Sequence, residues 1–432
     1  MAKENKSVKN FPNSRSIPKL RFPEFNDEWE NKKLGDLMTF KVTNSYSRDN
    51  LNYESGTVKN IHYGDIHTKF QTLFDLEKEN VPYVNEDISL NRISEDFYCQ
   101  EGDVIFADAS EDLNDVGKSI EITNLNGEKL LSGLHTLLAR PQKNNFSKGF
   151  LGYLLKSDFV RNQIKKESQG SKVLSINVGR ISNIHLSFPS ISEQQKISEF
   201  LSLLDKRILC SMKIIEQLKT LMKASREKIF SKKLRFKNEN NDFYSEWKST
   251  KLKNISQIFD GTHQTPKYVK KGVPFYSVEN LTANNFSVTK YISEEVFIKE
   301  NNRVKIEKGD ILMTRIGDIG TVKYIDWNVN ASFYVSLALI KSNNDNNSKY
   351  LAQYISSDKF QNELWNRTIH VAFPKKINLG EIGECLLKIP CIEEQTKIAN
   401  FLSSIQEKIE TEKQILEKLE QQKKFLMANL FV

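Results

Sequence analysis

The chain has 432 residues, 38% of them apolar and 27% charged, with a formal net charge of +8. That length exceeds one ordinary hydrophobic core and predicts two or three domains, while the composition excludes a fibrous or wholly disordered chain. No apolar run approaches the roughly 18 to 20 residues of a membrane-spanning helix, and a uniform basic coat is excluded because residues 25 to 188 sum to −5 and residues 234 to 388 to +5.

Residues 1 to 18, opening "MAKENKSVKN", are polar and charged without an apolar signal core, which predicts a mobile N-terminal tail on a cytoplasmic protein. Cys99, Cys210, Cys385 and Cys391 form no CxxC pair and the histidines no HxxxH pair, so free thiols and no metal site are expected.

From 19 to 188 the pattern is mixed α/β. "DVIFADA", "KSIEIT" and "HTLLARP" are β-branched, alternating and bounded by Gly, Asn and Asp, as strands are, whereas "FLGYLLKSDFVRNQIKKE" has helical spacing. Pro189 ends a strand, and Ser190 with Glu193, or Ser192 with Gln195, offers a capping box for a long helix over 189 to 233. Its apolar positions Ile197, Leu201, Leu204, Ile208, Ile215, Leu218, Met222 and Ile229 alternate steps of four and three, with Ser211 and Ser225 as polar breaks.

A second mixed region, 234 to 388, holds "DILMTRI", "TVKYIDW", "SFYVSLALIKS" and the helical "YLAQYISSDKFQNELWNR". A second long helix over 389 to 432 repeats the seam as Ile398, Leu402, Ile405, Ile409, Leu416, Leu419, Leu426 and Leu430, broken at Glu412 and Lys423.

The second half is a copy of the first. "FPSISEQQKISEFLSLLDKRI" from Phe188 lies over "IPCIEEQTKIANFLSSIQEKI" from Ile389 without a gap. "KLRF", a Glu-Trp pair, a Gly-Asp before apolar residues ("GDVIFA", "GDILMT") and "KSDF" over "SSDKF" recur in the same order. A repeat this long is a whole domain plus a connecting element. Coiled-coil seams need a partner, and the simplest partner for each helix is the other, run antiparallel. The chain from Lys19 is then expected to lie beside its end at Val432.

The layout of a domain, then "P-x-x-x-E-Q-x-x-I" opening a long helix, then both again, resembles the specificity subunit of type I restriction-modification systems; "GDVIFADASEDLNDVGKS" fits the same family. The resemblance covers the chain from Lys19 onward. It implies two target recognition domains, 19–188 and 234–388, in an α/β (mixed α+β) fold, separated by a pair of long antiparallel coiled-coil helices with pseudo-twofold symmetry. It implies double-stranded DNA as ligand, one half of a bipartite target per domain, and docking of two methyltransferase (modification) subunits and of restriction subunits. S-adenosylmethionine, ATP and Mg would then belong to those partners, with no cofactor on this chain.

The residues permit that division of labour. The chain has no Asn or Asp before Pro-Pro-Tyr or Pro-Pro-Phe and no Gly-rich methyl-donor turn, and "DVGKS" at 115 lacks the first glycine of a phosphate loop, Asp112 standing there. "ENK" at 30 and "EWK" at 246 have a nuclease-like spacing that many surface stretches share, beside Trp29 and Trp247, which read as core. A self-contained methyltransferase or nuclease, and a coiled-coil adaptor without DNA reading, remain the alternatives.

Candidate DNA contacts lie in polar or Gly-adjacent loops near predicted strands. In the first copy they are His62, Tyr63, Asp108, Ser110, His135 and Lys172; in the second, His263, Tyr276, Thr314, Arg315, Gly317, Lys375 and Lys376. Arg315, at a strand end beside two glycines, has the chemistry for a bidentate contact to guanine, with an ion pair to Asp310 or Asp318 as the structural reading. Asp108, in its place in the first copy, can accept from cytosine N4, so the copies are expected to face different bases. The lysines suit phosphates, which hold register without reading sequence. Tyr63 and Tyr276 read equally as core. The seam residues Ile197, Leu201, Leu204, Ile208, Ile215, Leu218, Ile398, Leu402, Ile405, Ile409, Leu416 and Leu419 are expected to pair the helices and dock partner subunits.

Overall fold

A computed structural model describes residues 17–142 and 145–432; nearly all of the expected N-terminal tail, residues 1–16, lies outside them. The chain forms two compact units: one reaches to Cys210 and includes Ile415–Val432, the other is Ser211–Gln414. The division falls inside both long helices.

In the first unit a five-stranded sheet runs in the order Met38–Lys41, Thr136–Pro141, Val104–Ala107, Ser119–Asn124, Leu73–Asp75. All its pairings are antiparallel except the last. A four-stranded sheet, Lys129–Ser132, Val58–Ile61, Tyr83–Val84, Leu51–Asn52, flanks it. In the second unit the matching sheets are Ser256–Asp260, Leu337–Ser342, Ile311–Ile316, Asp318–Tyr324, and Lys290–Ile292, Val273–Tyr276, Ser332–Phe333. The strands anticipated around the Gly-Asp marks are therefore present, and the mixed fold class holds.

The two helical stretches each break in the middle. Phe150–Leu154 is followed by Asp158–Glu167, and Ser348–Ile355 by Asp358–Arg367. Ser157 and Ser357 occupy the breaks as N-caps, accepting from the Val160 and Phe360 amides, because a serine hydroxyl satisfies an orphan N–H better than it continues a helix. Amphipathic spacing carries across the break and hides it.

The long helices span Ile191–Phe230 and Ile392–Asn429. In the first unit, Ile197, Leu201 and Leu204 share a core with Leu426 and Leu430, and Lys423 Nζ lies 2.5 Å from Asp205. In the second unit, Met222 and Ile229 share a core with Ile398, Leu402, Ile405 and Ile409. The start of each helix thus meets the end of the other, which is the antiparallel sense expected. The matched polar breaks meet too: Ser211 Oγ donates to Glu412 Oε1 at 2.7 Å. The Leu20 N–H donates to the Asn429 carbonyl at 2.9 Å, so the "KLRF" segment does lie beside the chain's end.

The repeated "EQ" is a clamp. Glu193, 1% exposed, receives Arg21 Nε and Nη2 at 2.8 and 2.7 Å, and Glu394, fully buried, receives Arg235 Nε and Nη2 at 3.2 and 2.9 Å. Gln194 Oε1 accepts from the Ser147 amide while its Nε2 donates to the Pro189 carbonyl; Gln395 does the same with Asn347 and Pro390. Each pair ties a helix start to the preceding "KLRF" and to the loop entering the core helices. The anticipated Ser190–Glu193 capping box does not form, because Glu193 is committed to Arg21 and Ser190 Oγ faces Ser192 Oγ at 3.2 Å.

Candidate nucleic-acid interface

The Gly-Asp marks are structural. Asp103 takes Arg140 Nε and Nη2, each at 2.9 Å, and the Gln100 amide; Asp310 takes Lys341 Nζ at 2.7 Å and the Glu307 amide. Each pins the start of a central strand, and the strands deliver their C-terminal ends to the loops that carry the candidate residues.

In the first unit those loops converge. Tyr63 lies with its ring 4.6 Å from His62, 5.9 Å from His67 and 5.3 Å from His135, and His135 Nδ1 is 3.3 Å from Asp108 Oδ1. His135 is half-exposed and sits at φ 54°, a left-handed turn that aims its ring outward. Burial raises the Asp108 carboxyl above its usual range, while His135 opposes the rise. Beyond Asp108 the strand Ala109–Ser110 pairs with Leu174–Ser175, and Ser175 in turn exchanges backbone hydrogen bonds with Gln169 at 2.7 and 2.9 Å, closing a hairpin over residues 169–175 whose exposed tip carries Lys172 and Val173. So Tyr63, Asp108, Ser110, His135 and Lys172 share one rim, and His67, not singled out in the sequence, belongs with them.

His62 is corrected from contact to support. It is 7% exposed, its Nδ1 accepts from the Gly64 amide as the cap of Tyr63–Thr68, and burial lowers its pKa. Asp65, 1% exposed, is held by Arg48 at 3.2 Å and Lys69 at 2.9 Å behind it.

The second unit overturns three candidates. Arg315 is 8% exposed with Nε on the Ile377 carbonyl at 3.2 Å and Nη1 on the Val335 carbonyl at 2.7 Å, so its fork is turned into the fold, away from a base edge, and not onto Asp310 or Asp318. Burial lowers its pKa, and two carbonyls satisfy the fork instead of a carboxylate. Thr314 is fully buried, donating to Asp318 Oδ2 at 2.8 Å and accepting from the Thr321 amide. Tyr276 is core, 4% exposed against Phe286. His263 stays at the surface, its Nε2 2.8 Å from Asp260 Oδ2.

Gly317, Lys375 and Lys376 do come together. Gly317, at φ 84° with open space on its side-chain face, donates its N–H to the Lys375 carbonyl at 2.8 Å. Lys376 bridges both Ile316 and Ile369, closing a hairpin over residues 369–376. Lys375 Nζ stands 4.9 Å from the Trp365 ring, and His370 packs on the same indole at 4.3 Å. Trp365 is 57% exposed, Val371 97% and Phe373 fully exposed, a group not singled out in the sequence. Its signal, apolar residues of no period before Pro-Lys-Lys, was present but had no core to explain it.

The twelve seam residues named for pairing and docking lie along the helix faces described above. Ile197, Leu201, Leu204, Ile215, Ile398, Leu402, Ile405 and Ile409 are buried, and Ile208, Leu218, Leu416 and Leu419 are partly so. Docking is corrected for the buried ones, since a side chain packed inside a unit offers no surface to another protein. The apolar side chains at least half exposed on the long helices are instead Leu203 and Phe425 in the first unit and Met212 and Leu221 in the second.

Two copies of one mixed domain, each closing on a long helix, define a tandem-repeat protein with one rod per repeat. The model of the type I restriction modification DNA specificity domain matches residues 26–220 and 244–421, and the chain belongs to that family. Among its relatives are a putative type I restriction enzyme MjaX specificity subunit of Methanocaldococcus jannaschii, 26% identical over 96% of both chains, and the EcoKI specificity subunit of Escherichia coli, 24% identical over 73% of this chain and 70% of that one. The type I S subunit from M. genitalium has the same fold, with a TM-score of 0.62 at 16% identity over 96% of this chain and 99% of that one. A chain solved in work on complex assembly and conformational transition of the type I R-M system gives 0.52 at 16% identity over 92% and 96%. As a specificity subunit the chain is the non-catalytic, DNA-recognition component of a type I restriction-modification system. Among the described residues no helix is long and apolar enough to cross a membrane.

Proposed function

We propose that the two units, corresponding to the expected recognition domains 19–188 and 234–388, each bind one half of a bipartite double-stranded DNA target. The observation that carries this is the repeated hairpin: each unit sets a hairpin with exposed lysines, Lys172 at the tip of one and Lys375 and Lys376 at the base of the other, against the strand end beyond its Gly-Asp mark. Around that shared frame the side chains differ, Asp108 and His135 in one unit, Gly317 and Trp365 in the other. A frame that stays while its contacts change is what reading two unlike half-sites requires, with lysines on phosphates and neighbours on base edges.

The long helices set the separation of the half-sites, and their outward apolar residues dock two modification subunits, with restriction subunits joining that assembly. S-adenosylmethionine, ATP and Mg act on those partners, and target adenines are flipped into the modification subunits. Tethering two modest half-site readers gives joint binding tighter than either.

Mapping methylated adenines in cells with and without this gene tests the reading: a split motif that vanishes with the gene supports it, and unaltered methylation refutes it. Inserting four residues into both helices beside the facing pair Ser211 and Glu412 adds about 6 Å, roughly two base-pair rises. A longer unspecified spacer is the expected outcome, and an unchanged motif removes the helices' role as ruler.

A further inference from the structure

Most exposed apolar residues stand singly and need no explanation. The hairpin at 369–376 is different. Phe373 and Val371 present essentially their whole side chains to solvent, and Pro374 beside them is exposed as well. The hairpin is pinned at its base by the Ile369 N–H to the Lys376 carbonyl at 2.8 Å, the Gly317 N–H to the Lys375 carbonyl at 2.8 Å, and the Ile377 N–H to the Arg315 carbonyl at 3.0 Å. The buried Arg315 fork on Ile377 and Val335 stiffens that base further. A rigid stem therefore holds an unburied phenylalanine outward.

Two exposed lysines stand at its base. Lys375 and Lys376 are exposed with no carboxylate partner among the described residues, and His370 and Trp365 flank them. An apolar tip above two unpaired lysines does not suit a greasy protein groove, which would desolvate both ammonium groups. It does suit a duplex, where phosphates take the lysines and the gap between stacked bases takes the ring.

We propose that Phe373 is a wedge that inserts between adjacent base pairs of the half-site bound by the second unit, partly unstacking and kinking the duplex there. This rests on the DNA-recognition reading above and deepens it. Apolar side chains driven between base steps cost unstacking energy and are repaid by closer wrapping, most readily at flexible pyrimidine–purine steps. Phe373 thereby contributes specificity through deformability at a step it does not hydrogen-bond. The hairpin of the first unit offers only Val173, shorter and half-exposed, at its tip, so insertion is confined to one half-site.

The test uses the full chain assembled with its modification subunits and duplexes carrying the mapped methylation motif. 2-Aminopurine is walked through both halves, leaving out the methylated adenines. With the wild-type chain, emission rises at one step in one half only. Phe373→Ala abolishes that rise and weakens binding about tenfold, whereas Phe373→Leu keeps both. An alanine variant with wild-type emission and affinity overturns the wedge. An alanine variant that instead loses its modification subunits also overturns it, since the hairpin is then a protein dock. Should the wild-type assembly fail to distinguish the motif duplex from a scrambled one, the recognition reading falls first and the wedge with it.

Discussion

The two units solve one structural problem with the same residues and one binding problem with different ones. Both close the helix start with a buried glutamate on the arginine of "KLRF" and pack that segment's phenylalanine on the helix, Phe22 on Phe200 at 5.9 Å and Phe236 on Phe401 at 5.8 Å. Yet Glu394 also receives the Trp247 indole N–H at 2.9 Å, while the Trp29 indole nitrogen has no partner among the described residues. The central sheets differ likewise: Glu121 stands opposite Val104 where Tyr324 stands opposite Ile311. Architecture is shared where the chain must fold, and divergence collects at the loops and at a few tolerated interior positions.

The clamp gives the largest effect. Arg21→Ala strands Glu193 without its charged partner and is expected to cost about 3 to 5 kcal/mol. Arg235→Ala is expected to cost less, because the Trp247 indole still serves Glu394. Chemical denaturation with residue-resolved hydrogen exchange in each unit checks the order, and equal costs would break the comparison.

The pH dependence comes next. Burial pushes the Glu121 carboxyl up to about 7, against the donation of the Gly149 and Gly152 amides at 2.5 and 2.7 Å. Native Glu121 therefore keeps a proton that the unfolded chain, titrating near 4.5, releases. Stability of the first unit should fall as pH rises from about 4.5 to about 7, by roughly 3 kcal/mol from this group. Glu121→Gln should flatten that window, and the second unit should lack it. A first unit equally stable at both ends would remove the effect.

The lysines give a smaller change that grows with dilution of salt. The pair Lys375→Ala and Lys376→Ala should lower the slope of log affinity against log salt by about two, and Lys172→Ala by about one. Loss of affinity without a change in slope would take these side chains off the phosphates. Smallest is the seam. Replacing the polar pair together, Ser211→Ala with Glu412→Leu, should shift unfolding by less than about 1 kcal/mol, since one hydrogen bond is exchanged for apolar contact. A loss of several kcal/mol would show that the pair does more than fill a break.

Much of the frame was legible because it rests on periodicity. The seam and the strands around the Gly-Asp marks follow from spacing that burial enforces, and the antiparallel sense of the helices from the direction of the chain. The site was less legible. Arg315 and Thr314 look functional in sequence because a strand end beside glycines is where contacts often sit, but their polar atoms found partners inside the fold. Phe373 drew no notice in the sequence, since hydrophobicity alone does not say which apolar side chain has nothing to pack against.

The sequence by itself determined that this protein is one domain written twice, with a coiled-coil seam after each copy. Patterns of period and repeat survive without knowing any long-range contact. Only the tertiary structure decided what the "EQ" pair holds, which charged side chains are spent on the frame and which remain free at the rim. Those outcomes depend on partners far away along the chain, as Arg21 with Glu193 and Arg315 with Val335 and Ile377 are. A polar group's role is set by whether burial obliges it to find such a partner.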